Sequence, residues 1–71
     1  MDNNYTPISC ADHSTFELAI MRQQPIKVCI DTTIQIITPK DMFTQSGEEF
    51  IVFVDVQGNR RELRADKITL M

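Results

Sequence analysis

Cys10 and His13 are the first residues in this chain equipped for chemistry, a thiol and the only imidazole, three positions apart. At that spacing the two side chains could in principle touch on one helix face, as a nucleophile and its base would. Acyl transfer also needs a group that orients the imidazole and backbone N–H donors for the oxyanion. The pattern offers neither, so no catalytic residue is assigned. Cys29 stands 19 positions beyond Cys10, without CxxC spacing, and Cys10, His13 and Cys29 lack the paired arrangement of a zinc site. No metal is expected. Glu48 and Glu49 are adjacent, point to opposite faces of a strand and cannot form an acid/base pair, which leaves them a solubilising role. Gly47 and Gly58 satisfy neither GxGxxG nor a P-loop. No cofactor and no small-molecule substrate are expected.

The elements that must position these groups come from a chain of 71 residues, 42% apolar, with two glycines, three prolines and no tryptophan. A chain of this size buries only about 60% of the surface its unfolded form exposes. One core is the ceiling, and residues 1–71 are read as a single domain without an enclosed substrate cavity. Ten acidic side chains stand against seven basic ones, a net charge of -3, which disfavours general coating of nucleic acid. No apolar run approaches the roughly 18 residues of a membrane span, and the N-terminus lacks the basic and apolar regions of a secretory signal. Two cysteines in such a chain read as reduced thiols. A cytoplasmic protein without membrane contact is the expectation.

Residues 1–9 are read as an extended arm anchored by Tyr5 and Ile8, because Thr6 before Pro7 is steered to extended geometry. From Cys10 to Arg22, Phe16, Ala19 and Ile20, with Leu18 as a further candidate, recur at three and four residue steps and predict a short helix, capped by Ser9 or Asp12 and stopped near Pro25. The period then changes to two. Ile26, Val28 and Ile30 predict a strand over 25–31, Asp31 to Thr33 a tight turn, and Ile34, Ile36 and Ile37 with Thr38 a returning strand. Thr38, Pro39, Lys40 and Asp41 combine a hydroxyl cap with a proline at the first helical position and predict one helical turn over 39–44. A loop at Gln45, Ser46 and Gly47 follows. Glu49 to Val56 reads as a strand apolar on both faces and therefore central, with Phe50, Val52, Val54 and Val56 on one side and Ile51 and Phe53 on the other. Gln57 to Asn59 predicts a hairpin turn. The pattern breaks near Ala65 to Lys67, before a short last strand from Ile68. The chain is thus mainly β with one N-terminal α-helix, a small bent sheet or open barrel of about five antiparallel strands.

Charge is placed unevenly. Asp2, Asp12 and Glu17 are the only charged side chains among residues 1–21, whereas Arg60, Arg61, Arg64 and Lys67 cluster near the end. The basic cluster would suit a direct RNA-binding module, as one subunit of a ring-forming oligomer, but Glu62 and Asp66 interleave it and alternating signs on a strand are commonly salt pairs and edge protection. An acidic helix face suits docking on a basic surface of another protein.

Two strings, YTPISCADHSTFELA (residues 5–19) and RRELRADKI (residues 60–68), taken together with the strand EEFIVFVD between them, resemble the Rof family over nearly the whole chain. The resemblance implies a bacterial cytoplasmic inhibitor of the transcription terminator Rho, not an enzyme, with an Sm-like fold. It further implies binding to the N-terminal RNA-binding region of the Rho hexamer, through the N-terminal helix and a strand-connecting loop, so that RNA cannot load. Carried onto this sequence, Asp12 and Glu17 would face basic groups on Rho, and Tyr5, Pro7 and Ile8 would hold the arm. His13 and Ser14 stand where the family is more acidic and carries an aromatic residue, and would contribute hydrogen bonds. Gln45, Ser46 and Gly47 form the loop.

Overall fold

The computed structural model describes residues 6–71; the reading of Tyr5 and of the first part of the arm lies outside them. One helix, α1 (Cys10–Arg22), precedes five strands: β1 (Ile26–Ile30), β2 (Thr33–Gln45), β3 (Glu48–Asp55), β4 (Arg60–Arg64) and β5 (Thr69–Leu70). The strands form one antiparallel sheet in the order β4-β3-β2-β1-β5. The mainly β architecture with a single N-terminal helix is the one expected.

Ser9 starts α1 and settles which residue is the cap. Its backbone is extended and its Oγ accepts the Asp12 N–H at 3.1 Å. Asp12 in the first turn and Arg22 in the last complement the helix dipole. The helix closes where Gln23 turns left-handed (φ 50°) and the Gln23 and Gln24 amides donate to the carbonyls of Ile20 and Ala19. Ser9→Ala removes one capping bond, and its expected cost of about 1 kcal/mol lowers the melting temperature by roughly 5 °C. A thermal melt followed by circular dichroism checks this, and an unchanged midpoint would refute the cap.

Asp31 and Thr32, both at positive φ, form the two-residue turn joining β1 to β2 with Ile30 opposite Thr33. Beyond Thr38 the expectation of a helical turn over 39–44 is overturned, because β2 continues unbroken to Gln45. The local cap signature loses to long-range pairing. Met42 lies opposite Ile51 and Phe43 opposite Phe50, the two Phe rings stacking with centroids 5.4 Å apart. Pro39 sits fully buried opposite Phe53, and a shift of register between Pro39 and Asp41 makes the bulge at which a strand tolerates a missing N–H. The Asp41 carboxylate accepts the Met42 N–H at 2.8 Å, fixing the backbone there. Gln45 is likewise not a loop residue. It pairs with Glu48, and the turn consists of Ser46 and Gly47 alone, both at positive φ.

β3 is paired on both sides, by β2 and β4, although the middle place in the sheet belongs to β2. Ile51 and Phe53 carry the core face, while Phe50 and Val54 on the other side are half-buried. Val56 does not extend the strand: the Asp55 carboxylate accepts the Gln57 and Asn59 N–H groups, each at 2.9 Å, and turns the chain, leaving Val56 exposed. A 3-10 turn at Ala65–Lys67 breaks the pattern where predicted and leads into β5, which pairs with β1 through Val28 opposite Leu70 and Cys29 opposite Thr69.

That connection bends the sheet. Residues 65–68 carry the chain from one edge strand to the other, and three of them are wound into the tight turn. In a flat sheet the two edge strands, β4 and β5, would stand roughly 19 Å apart, too far for so short a link. The sheet therefore curls around a core of Phe16, Val28, Ile30, Ile37, Ile51, Phe53, Ala65 and Ile68, in which Phe16 is the helix's main contribution.

Candidate functional site

α1 displays Asp12, His13, Ser14 and Glu17 over its first two turns. The imidazole of His13 is aimed at two carboxylates, with Nδ1 at 3.4 Å from Glu17 Oε1 and Nε2 at 3.2 Å from Glu49 Oε2. Glu49 begins the inward-facing row that continues with Ile51 and Phe53, so it points toward the helix, whereas Glu48 points the other way, to Arg64. The opposite-face reading of the two glutamates holds. Their assignment to solubility alone does not. Counting back in twos from Phe53 places Glu49 on the core face, which is the signal that could have identified it.

Through His13 and Glu49 the helix is joined to the β2–β3 hairpin, and the two candidate segments become neighbours. Thr44 lies opposite Glu49, and the exposed Ser46–Gly47 tip lies about 7 Å further along the strands. Ser14 and Glu17 border a groove of about 510 Å³ between α1 and the bulged part of β2, lined also by Leu18, Ile20, Met21, Asp41 and Met42. Asp12 stands apart from it. Five residues of helix turn it about 140° from Glu17, and it borders a smaller groove of about 250 Å³ with residues 6–9 and the Ala65–Leu70 stretch. The acidic residues of α1 therefore flank the helix rather than share one face.

Beside this second groove runs a chain of charged contacts. Arg64 Nε donates to Asp66 Oδ1 at 2.7 Å and Arg64 Nη1 lies 3.6 Å from Glu48 Oε1, while Asp66 Oδ2 accepts the Thr6 N–H at 3.1 Å. Burial pushes the Asp66 carboxyl up, but the Arg64 and Thr6 hydrogen bonds and the Arg64 and Lys67 charges outweigh it and hold it below the ordinary 3.8. The pairing with Asp66 likewise raises the Arg64 guanidinium. A carboxylate whose folded value is depressed stabilises the fold above its unfolded value and ceases to do so as pH falls through the folded one. The hold on the arm is therefore complete at pH 5 and is lost on acidification below 3.8. Amide exchange of Thr6 measures it: Asp66→Ala should speed exchange about fivefold at pH 5, and equal rates in both proteins would show that the arm is not held there.

The basic cluster is divided. Arg64 is engaged as described, and Arg61 lies over the Phe53 ring at 5.6 Å from its centroid. Arg60 pairs with Val54 and thus faces away from Arg61. Cys10 is exposed, Cys29 is half-buried and both are free thiols, while the two His13 nitrogens are directed at carboxylates rather than at Cys10. Among the described residues no group of three or more His, Cys, Asp and Glu side chains is arranged to hold a metal ion, and no helix is long and apolar enough to cross a membrane. Compared with protein-family models, curated proteins and solved structures, the chain matches none.

Proposed function

We propose that this protein is a non-enzymatic inhibitor of Rho-dependent transcription termination, acting in the bacterial cytoplasm by covering the N-terminal RNA-binding region of the Rho hexamer. The observation that carries the reading is a contact. The two strings on which the Rof resemblance rests are far apart in sequence, yet Thr6 of the first donates to Asp66 of the second, and both line one groove. A joint match of two strings has physical sense when they build one piece of surface. Ser14 and Glu17 on the groove flank of α1, tied to the hairpin by His13 and Glu49, and Asp12 on the arm flank offer acidic and hydrogen-bonding groups that complement a basic RNA-binding surface. The division of Arg60, Arg61 and Arg64 argues against RNA binding by the protein itself.

The test is a competition titration, in which the protein is added to Rho preloaded with fluorescent cytidine-rich RNA, beside a control of RNA and protein alone. Release of RNA from Rho with no binding in the control supports occlusion. Binding in the control that weakens steeply with salt, without any effect on Rho, overturns it in favour of a direct RNA-binding module.

A further inference from the structure

We infer that the groove between α1 and the bulge of β2 anchors a basic, apolar segment of the protein partner, taking a Leu- or Met-sized side chain onto its floor and an adjacent Lys or Arg at its lip. This rests on the reading that α1 faces Rho, and it adds the chemistry of what is gripped. The floor is apolar and open: Leu18 is 45% and Met21 78% exposed, beside Ile20 and Met42. Large apolar side chains left uncovered along a groove favour a partner, and methionines adapt their shape to it.

The lip is acidic. Glu17 and Asp41 line it on opposite walls, one from the helix and one from the strand, with the Ser14 hydroxyl nearby. Each carboxylate has an internal contact, Glu17 with His13 and Asp41 with the Met42 N–H, and a carboxylate offers about four acceptor positions. Both can therefore receive a cation without giving up what holds them. The basic groups of this region sit at the far end of the helix, Arg22 in its last turn and Lys40 with its ammonium 3.3 Å from Gln23 Oε1. Asp41 follows Lys40 in the chain, so the lip carboxylate remote from these cations is Glu17, beside His13; an arriving cation is thus directed to the Glu17 side and the apolar side chain to Leu18 and Met21.

Methyl spectra of methionine-labelled protein, recorded with the intact Rho hexamer, read the site directly. Met21 and Met42 should shift or broaden, while Met71, which lies outside the groove, should not. Met21→Ser and Asp41→Asn, both at exposed positions, should each weaken Rho binding about tenfold with unchanged helix content. Wild-type affinity in both variants overturns the groove while leaving the Rho reading intact. Failure of the unmodified protein to bind Rho overturns the Rho reading instead, and the groove is then judged with a 12-residue amphipathic Lys/Leu peptide against a Glu/Leu counterpart. Movement of Met21 and Met42 by the Lys/Leu peptide alone upholds it, and any other result overturns it.

Discussion

If the proposed inhibition of Rho holds, reversing both acidic charges of α1, by Asp12→Lys with Glu17→Lys, is expected to raise the Kd for the Rho hexamer by about 100-fold and to abolish displacement of RNA from it. The size follows from like charges brought together across an interface, which cost several kcal/mol, with each 1.4 kcal/mol worth about tenfold. Glu17 is more than half exposed and lies on the groove side, whereas Asp12 is half-buried beside the arm. Because the two flank the helix, the single variants show which flank meets the partner, and the larger loss is expected from Glu17→Lys. Its charge lies farther into solvent, and its replacement also removes a carboxylate from His13. Asp12→Lys additionally sets a cation at the positive end of the helix, so its melting temperature must be measured alongside binding. Equal affinity for Rho in the double variant and the unmodified protein, both folded, would end the electrostatic account of the interface. Raising salt should weaken the unmodified complex more than the double variant, since only the former gains from attraction.

Phe53→Ala is expected to lower the melting midpoint of the domain by at least about 12 °C. Phe53 is fully buried, pairs with Pro39 on one side and Arg61 on the other, and belongs to the cluster that joins the helix to both halves of the sheet. Truncating a core phenylalanine costs about 3–5 kcal/mol. A chain of this length has roughly 4–10 kcal/mol of stability in total, so the loss takes about 30% of it or more. At about 4–8 °C per kcal/mol the midpoint falls by at least 12 °C. Val56→Ala is the control, because Val56 is 77% exposed and its loss should stay within about 0.5 kcal/mol. Similar melting curves for the two variants would mean that the core is not centred on Phe53.

Much of this is legible in the amino-acid sequence alone. The helix from Cys10 to Arg22 follows from the spacing of Phe16, Ala19 and Ile20, and the first two strands from β-branched alternation around a turn. These are signals carried by neighbouring residues. The stretch 39–44 misled because Thr38-Pro39 is a valid local start for a helix, while the force against it comes from β3, which pairs across the Ser46–Gly47 turn and offers Ile51 and Phe50 to Met42 and Phe43. Losing that stretch also hid the α1–β2 groove, one wall of which is Asp41 and Met42. At the site, Glu17 and His13 were legible as neighbours four residues apart on a helix. The partnership of His13 with Glu49 was not, since it depends on how the helix is laid over the sheet. The separation of Asp12 from Glu17 was available from helical geometry, 100° per residue, and had only to be counted.

The short link through Ala65–Lys67 also governs how quickly the chain can fold. Neighbouring strands β1 to β4 pair through close turns, but β1 must wait for β5, about 40 residues further on, and Thr6 for Asp66, 60 residues on. Contacts of such separation raise the relative contact order and slow folding relative to a chain closed by local contacts alone. Until β5 arrives, the outer edge of β1 stands open with Val28 and Cys29 unpaired along the ladder, the form of the chain in which pairing with a second molecule competes with completing its own sheet.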